Sequence, residues 1–496
     1  MPKFVFLWTD LVIWLSAAGV FAYAWRTRGN ANARANWRHV THNAAPMSAA
    51  VVMLAFSALA LLDSFHFRPR LEAVADAAAD AAVAYAPRTL SILDVLFSHP
   101  RESTEKTYSL PLAYWSFQKE TGIVNGQPVR ENPRLKFGGA HLADPEHDWV
   151  QDVVVKSALG VGCGLLLAVI LTLAIAAARA RDGVRQSLLE MVHGETELPW
   201  RAMLITIAVL AALIGWIAVV WPFYHPFGTD RIGKDVLYQA LKSVRTAMVI
   251  GSLSTIATLP LAIALGLLAG YFRGWVDDVI QYLYTVLSSI PPILLVAAFV
   301  LLVNVYIDQN LDIFETGVER AEFRLFLLCL ILGVTGWATL CRLLRAETLK
   351  IAELDFVQAA RAFGVSNLRI MGRHILPNVM HLVLIVAVLD FSALVLYEAV
   401  LSYVGVGVDP NSASFGSMIN LARSEMARDP AVWWNLATAF AFMLALVLAA
   451  NIFADGVREA FDPRARAFRA RRIRPAPGST RGSSAVRPAG AVAASS

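Results

Sequence analysis

Charge and cysteine are what this 496-residue chain has least of: Asp, Glu, Lys and Arg make up 16% of it, and it holds three cysteines. A water-solvated globule of this length needs a far more charged surface, so an ordinary soluble enzyme is excluded. Cys163, Cys329 and Cys341 lie in or beside apolar runs, with no Cys-x-x-Cys and no His-rich spacing. Neither a disulfide framework nor a metal site is expected. Gly-x-Ser-x-Gly and His-Glu-x-x-His are missing, and no paired carboxylates suggest acid–base work, so no catalytic residue and no cofactor is expected. A cleavable leader fits poorly, because the first apolar run begins almost at Met1 behind Lys3 alone, without a small-residue cleavage site. No internal repeat shows at solenoid periods.

What the chain does have is long apolar runs. It is 57% hydrophobic with a mean hydropathy of +0.54. About nine runs match the length a bilayer demands: 4–26, 46–63, 153–178, 203–222, 246–272, 279–305, 325–343, 379–404 and 432–454. The expected fold is an all-α polytopic membrane protein with about nine transmembrane helices. The net charge of +5 is concentrated at the edges of these runs, which is a topology signal rather than a nucleic-acid footprint. Arg26, Arg28, Arg34 and Arg38, then Arg179, Arg181 and Arg185, then Arg342 to Arg373, then the Arg-rich tail from Arg464 to Arg487 all fall on one side. The positive-inside rule makes that side cytoplasmic, with the N-terminus outside and the C-terminus inside. Acid-rich 306–324 falls outside, while Arg231, Lys234, Lys242 and Arg245 in the outer loop 223–245 soften the bias.

Three blocks follow. Residues 1–200 hold three spans and an extracytoplasmic segment of about 64–152, with an Ala-rich stretch (Ala73 to Ala86) and Asn125-Gly126-Gln127-Pro128. Its length suits a small folded module. Residues 201–242 give the first core span and an outer segment, and 243–455 hold the remaining core spans. Residues 456–496 form a basic tail, expected to be disordered from about 470 for want of apolar residues.

Several motifs have a plain structural reading beside a functional one. Gly228-Thr-Asp-Arg-Ile-Gly-Lys-Asp235 nearly spells a phosphate-binding loop, but Asp235 stands where the Mg²⁺-binding hydroxyl must be, and no strand precedes it. No nucleotide site is expected. Gly266-x-x-x-Gly270 reads as close helix packing. Pro260 and Pro291-Pro292 read as kinks. Asp390 and Glu398 lie in one span, about 80° apart around a helix. Carboxylates inside a membrane face a bundle interior or a polar path. Glu398 suits a structural hydrogen bond, whereas Asp390, nearer mid-membrane, suits a pathway or a structural role equally.

The richest segment is 355–377, a polar helix-forming stretch between two spans. Phe356, Ala359, Ala360 and Phe363 fall at i, i+3, i+4 and i+7, giving one apolar face. Gly364 supplies a helix stop, Ser366 can cap a second helix, and Pro377 restricts the exit. Such an elbow suits a groove on a soluble partner, and its competing reading is a helix lying in the membrane interface.

With Gln358-Ala359-Ala360, Gly364 and His374-Ile375-Leu376-Pro377, this segment resembles the coupling loop of permease subunits in binding-protein-dependent ABC importers. That pattern is Glu-Ala-Ala, three residues, Gly, then nine residues before an Ile-x-Leu-Pro-like end. Gln358 departs from the Glu, and Ile375 is shifted by one. Further segments resemble the dipeptide/oligopeptide/nickel branch: His225 to Leu237, Ser243 to Gly251, Glu398 to Gly407, Phe415-Gly-Ser-Met418 and Asp455 to Pro463. The resemblance covers about 201–463. It implies a core of six helices of the type I importer permease in the inner membrane, importing a peptide or similar small solute. It also implies a second permease subunit, two cytoplasmic ATPase subunits and an extracytoplasmic solute-binding protein as partners, with the bilayer and no nucleic acid. On this expectation Phe356, Gln358, Ala359, Ala360, Phe363, Gly364, His374, Leu376 and Pro377 form the ATPase-coupling loop, and the chain itself is not an enzyme. Two rivals remain at this stage, an ion-coupled secondary transporter resting on Asp390 and Glu398, and a non-transport scaffold or sensor built on 64–152.

Overall fold

Eight helices among the described residues are long and apolar enough to cross a membrane. The computed structural model describes residues 3–461 apart from 30, 71–84, 87–88, 125–126, 181–182, 195, 315 and 410–411. Most of the Ala73–Ala86 stretch, Asn125-Gly126 and the basic tail from 462 therefore lie outside the described residues. The first apolar run, 4–26, forms the remaining one, α1 (Trp8–Gly29), a 22-residue helix in which Asp10 and several aromatic residues dilute the apolar character.

The first block mixes helices with two small antiparallel sheets. After α1 come α2 (Ala31–His42) and α3 (Ala44–Asp63). Strand β1 (Lys3–Val5) pairs with β2 (His66–Arg68), which pairs with β3 (Leu90–Ser91). Ser91 and Asp94 form a capping box that starts α4 (Ile92–Leu96), followed by α5 (Ser98–Glu102). A hairpin joins β4 (Glu120–Val124) to β5 (Gln127–Glu131). Then α6 (Pro145–Arg179) and α8 (Trp200–Val220) pack along each other, with α7 (Val184–His193) between them in sequence. Their backbones touch, because a Cβ on Gly164 would lie 2.1 Å from the Ala211 carbonyl oxygen. Most of their remaining apolar surface is exposed, as a lipid-facing pair requires.

The second block is organised on α9 (Val236–Phe272), whose 37 residues span about 55 Å. Asp235 starts it by accepting from the Tyr238 N–H at 3.0 Å. The run expected as one span at 279–305 is two helices, α10 (Gly274–Ser289) and α11 (Pro292–Gln309). Ile290, which precedes Pro291, is extended, as a residue before proline prefers. Next come α12 (Gly317–Gly336), α13 (Ala338–Ala352), α14 (Asp355–Ala362), α15 (Asn367–Ile370) and a π-helical turn at Met371–Ile375. The chain closes with α16 (Leu376–Val404), α17 (Phe415–Met426) and α18 (Trp434–Phe461). Helix α9 packs against α1, α3, α10, α12, α13, α16, α17 and α18. Gly266 and Gly270 face α13, where added Cβ atoms would sit 2.8 Å from Leu344 Cβ and 2.5 Å from Thr348 Cβ. The small-residue pattern is thus a helix-packing face.

Segment 103–138 is sewn to the start of the core. Glu105 N–H donates to the Gly233 carbonyl at 2.9 Å, Thr229 N–H to Ser109 at 3.2 Å, and Leu112 N–H to His225 at 2.9 Å. Tyr108 is buried in one apolar cluster with Val236, Ala240, Met418 and Trp434. The glycines of the nucleotide-like motif serve this contact. Gly233 has φ +75° and a Cβ there would meet the Glu105 carbonyl oxygen at 1.9 Å, while Gly228 has φ +71° against the Ser109 carbonyl oxygen.

Candidate functional site

The elbow at one end of α9 is built as a locked base with an exposed tip. Helix α14 ends in a Schellman closure, in which the Gly364 N–H donates to the Arg361 carbonyl at 3.0 Å and the Val365 N–H to Ala360 at 3.1 Å. Gly364 takes φ +74°, the left-handed conformation this closure needs. Ser366 starts α15 through its carbonyl, which accepts from Arg369 and Ile370, and its hydroxyl makes no cap. Pro377 sits in the first turn of α16.

The base is held from three sides. Val357, Ile370, Met371 and Ile375 are buried with Tyr271, Tyr284, Leu344 and Ile351, and Ala360 and Leu376 pack at the edge. Tyr271 donates to Asn367 Oδ1 at 2.8 Å, and the Arg361 guanidinium stacks 5.0 Å from the Tyr271 ring centre. Arg345 forks onto Asp277 at 2.5 and 2.6 Å, tying α13 to α10. Gln358 Nε2 donates to the Ala352 carbonyl at 2.9 Å, closing the C-terminus of α13. That bond requires an amide donor, which gives Gln358 a physical reason at this position. His374 is half-buried, its ring 6.5 Å from that of Phe356.

The anticipated face divides. Phe356 and Ala359 are exposed, Ala360 is half-buried, and Phe363 is 87% exposed. Leu368, which the helical spacing does not single out, stands 77% exposed across the elbow. Phe363 and Leu368 on either side of Gly364 are therefore the protruding pair. Val357 is the residue that the period-based reading overlooked: it is buried one position from Phe356 and anchors α14 to the core.

Midway along the bundle, a cavity of about 410 Å³ opens between α9, α11, α12 and α16. Asp390, Thr258, Thr335 and Tyr397 line it, and most of the remaining wall is apolar. Tyr397 follows Asp390 by seven residues, which is two turns of one helix face, so the sequence held that signal. Glu398 lies elsewhere. It is fully packed, accepts from Ser402 Oγ at 2.6 Å, and sits against Gly416, where a Cβ would come within 2.9 Å of its Oε1. It joins the end of α16 to the start of α17. The two intramembrane carboxylates are thus separated, one on the cavity wall and one in a packed joint.

At the opposite end of α9, the cations of the core meet the acids of the first block. Arg245 contacts Asp10 at 2.5 Å and Glu322 at 2.7 Å, and Asp10 also faces His66 at 2.8 Å. Lys242 bridges Asp63 at 2.6 Å and Asp94 at 2.9 Å. His225 lies between Asp235 and Glu105, at 2.8 and 3.5 Å. Burial pushes the Glu105 carboxyl up, but His225 and the backbone N–H groups of Phe137, Lys136 and Gly138 outweigh this and hold it at about 2.

Residues 262–467 match the family model described as binding-protein-dependent transport system inner membrane component. The chain is 30% identical over 245 residues to the oligopeptide transport system permease protein OppC of Mycobacterium tuberculosis, covering 49% of this chain and 78% of that protein. It is 30% identical over 243 residues to OppC of Haemophilus influenzae, covering 49% of this chain and 71% of that protein. A solved inward-facing MetNI methionine ABC transporter chain aligns over 46% of this chain and 98% of its own length, at 15% identity and a TM-score of 0.34.

Proposed function

We propose a function from the premise that this chain belongs to the binding-protein-dependent transport system inner membrane components, and is therefore a multi-pass permease subunit of an ABC importer. It imports peptides or a similar small solute, with separate ATPase subunits engaging the 355–377 elbow. The supporting observation is the elbow's construction: a base fixed to α9 and α13 carries Phe363 and Leu368 into the open. A rigid lever with an apolar tip can transmit displacement, whereas a loose loop would absorb it. The 410 Å³ cavity with Asp390 is walled in part by the same two helices, through Thr258 of α9 and Ala338 and Thr339 of α13, and offers a solute path. A second permease subunit completes that path, and an extracytoplasmic binding protein delivers the solute. The elbow and the tail face the cytoplasm, and the N-terminus faces outward. Ion coupling finds less support, since Glu398 is consumed by packing contacts and shares no site with Asp390.

The deciding experiment is co-expression with the ATPase subunits. Phe363→Asp and Leu368→Asp place a charge on the docking tip without touching the buried base. Both variants are expected to lose ATPase co-purification and ATP-dependent peptide uptake. Full retention of both properties in both variants would sink the assignment.

A further inference from the structure

The end of the bundle opposite the elbow holds a second cavity, of about 590 Å³, walled mainly by the core and closed by Asp63, His66, Thr89, Asp94 and Arg101 of the first block. Its carboxylates are already engaged. Asp63 and Asp94 pair with Lys242, Glu322 with Arg245, and Asp409 with Arg324 at 2.9 Å. Its buried polar side-chain atoms left without a partner among the described residues are guanidinium nitrogens and one hydroxyl, all able to donate. Arg101 uses Nη2 on its neighbour Glu102, while its Nε and Nη1 are buried without a partner among the described residues. Arg320 Nε and Thr89 Oγ1 are buried in the same unsatisfied state, and all three side chains border this cavity. Buried donors without acceptors are rare in folded proteins, and four atoms around one cavity call for a shared acceptor.

We infer that this cavity binds the carboxylate end of a small peptide-like solute, with Arg101, Arg320 and Thr89 as its donors. Guanidinium groups accept no hydrogen bond and fit the two oxygens of a carboxylate in a planar fork. The volume exceeds what a lone ion needs and lies in the range of cavities that enclose a whole small ligand. The peptide-like class rests on the import reading above, and the carboxylate on the donor set alone. The inference also gives the first block a task. Thr89 and Arg101 come from it, so the core without it would hold only Arg320 of the three.

The test is calorimetric titration of the purified full-length chain in detergent with dialanine, dialanine amide, acetate and inorganic phosphate. Dialanine is expected to bind, and its amide to bind about tenfold more weakly or worse, since a charge-assisted contact is removed. Arg101→Gln and Arg320→Gln should each weaken dialanine by a similar factor, with melting temperatures reported alongside. Thr89→Ala, a milder change, should weaken it several-fold and covers the case in which an arginine variant misfolds. Equal binding of dialanine and its amide, no binding of either, or wild-type affinity in folded variants would leave a hydrated cavity only and overturn the inference. Phosphate binding more tightly than dialanine would reassign the site to phosphate groups and overturn it equally. No ATPase or uptake enters this measurement, so its failure leaves the coupling assignment standing, and failed ATPase co-purification leaves the binding result standing.

Discussion

Arg245 Nη2 lies 2.5 Å from Asp10 Oδ1, a contact between residues 235 positions apart that fastens α1 to the first turns of α9. Glu322 of α12 holds the other side of the same guanidinium. Neither Arg245 nor its neighbour Lys242 is a free surface charge, so neither acts as a topology signal in the outer loop. Their charges are spent on joining the first block to the core.

That joint predicts an asymmetric cost. Arg245→Met leaves Asp10 and Glu322 buried without their guanidinium and should destabilise the chain by roughly 3–5 kcal/mol. Asp10→Asn keeps the Arg245–Glu322 pair and should cost less. Thermal unfolding followed by tryptophan fluorescence would read both. Melting of Arg245→Met indistinguishable from wild type would show that the ion pairs do not hold the blocks together.

A pH dependence follows from His225. Its burial alone would lower the imidazole, but the hydrogen bond to Asp235 and the close Glu105 carboxylate, with both negative charges, raise it to about 9 from an ordinary 6.5. A raised folded value means this stabilisation is complete below about pH 6.5 and is lost as pH climbs through about 9. Glu105, depressed to about 2 from 4.5, works in the other direction, contributing above about pH 4.5 and fading below it. Melting temperature should therefore be highest between those limits and decline on the alkaline side. His225→Gln should flatten the alkaline decline, and an unchanged slope in that variant would assign the decline to other groups.

Much of this was legible in the chain. The apolar runs located the spans because a bilayer forces length and hydrophobicity together, and the elbow was legible because Gly364 and its flanking apolar residues are local features. The split at Pro291 was marked by the proline pair, but hydropathy alone ran the two helices into one. The partners of Lys242 and Arg245 were not legible, since Asp10, Asp63 and Asp94 are each unremarkable in their own segments. Long-range pairing of single charges leaves no periodic trace. Leu368 escaped notice for a related reason: its exposure depends on how the elbow turns rather than on spacing along one helix.

The nucleotide-like motif offers a test in which two neighbouring substitutions should behave oppositely to a phosphate-binding loop. Gly233→Ala would strain a left-handed residue by about 1–2 kcal/mol and also drive its Cβ into the Glu105 carbonyl, so folded yield should fall sharply. The Lys234 side chain is exposed, and Lys234→Ala should leave folding and the ATPase rate of the assembled transporter nearly unchanged. A loss of ATPase activity confined to Lys234→Ala would return the motif to consideration as a nucleotide site.

The proposed orientation can be read by thiol labelling, and the structure selects the positions. Gln118 and Ser366 are exposed, and they belong to segments at opposite ends of α9, whereas Ser116 is buried and would report poorly. Native Cys329 and Cys341 are buried, and Cys163 sits in the middle of α6, so the background should be low. In intact cells, an impermeant maleimide is expected to modify Gln118→Cys and to leave Ser366→Cys untouched until lysis. The elbow can meet an ATPase only on the side where ATP is present, so labelling in the opposite sense would put Phe363 and Leu368 beyond reach of any cytoplasmic subunit. It would also place Arg101 and Arg320 on the cytoplasmic side, where no extracytoplasmic binding protein could deliver a solute to them. One measurement therefore bears on both ends of the transporter, because α9 fixes their separation across the membrane.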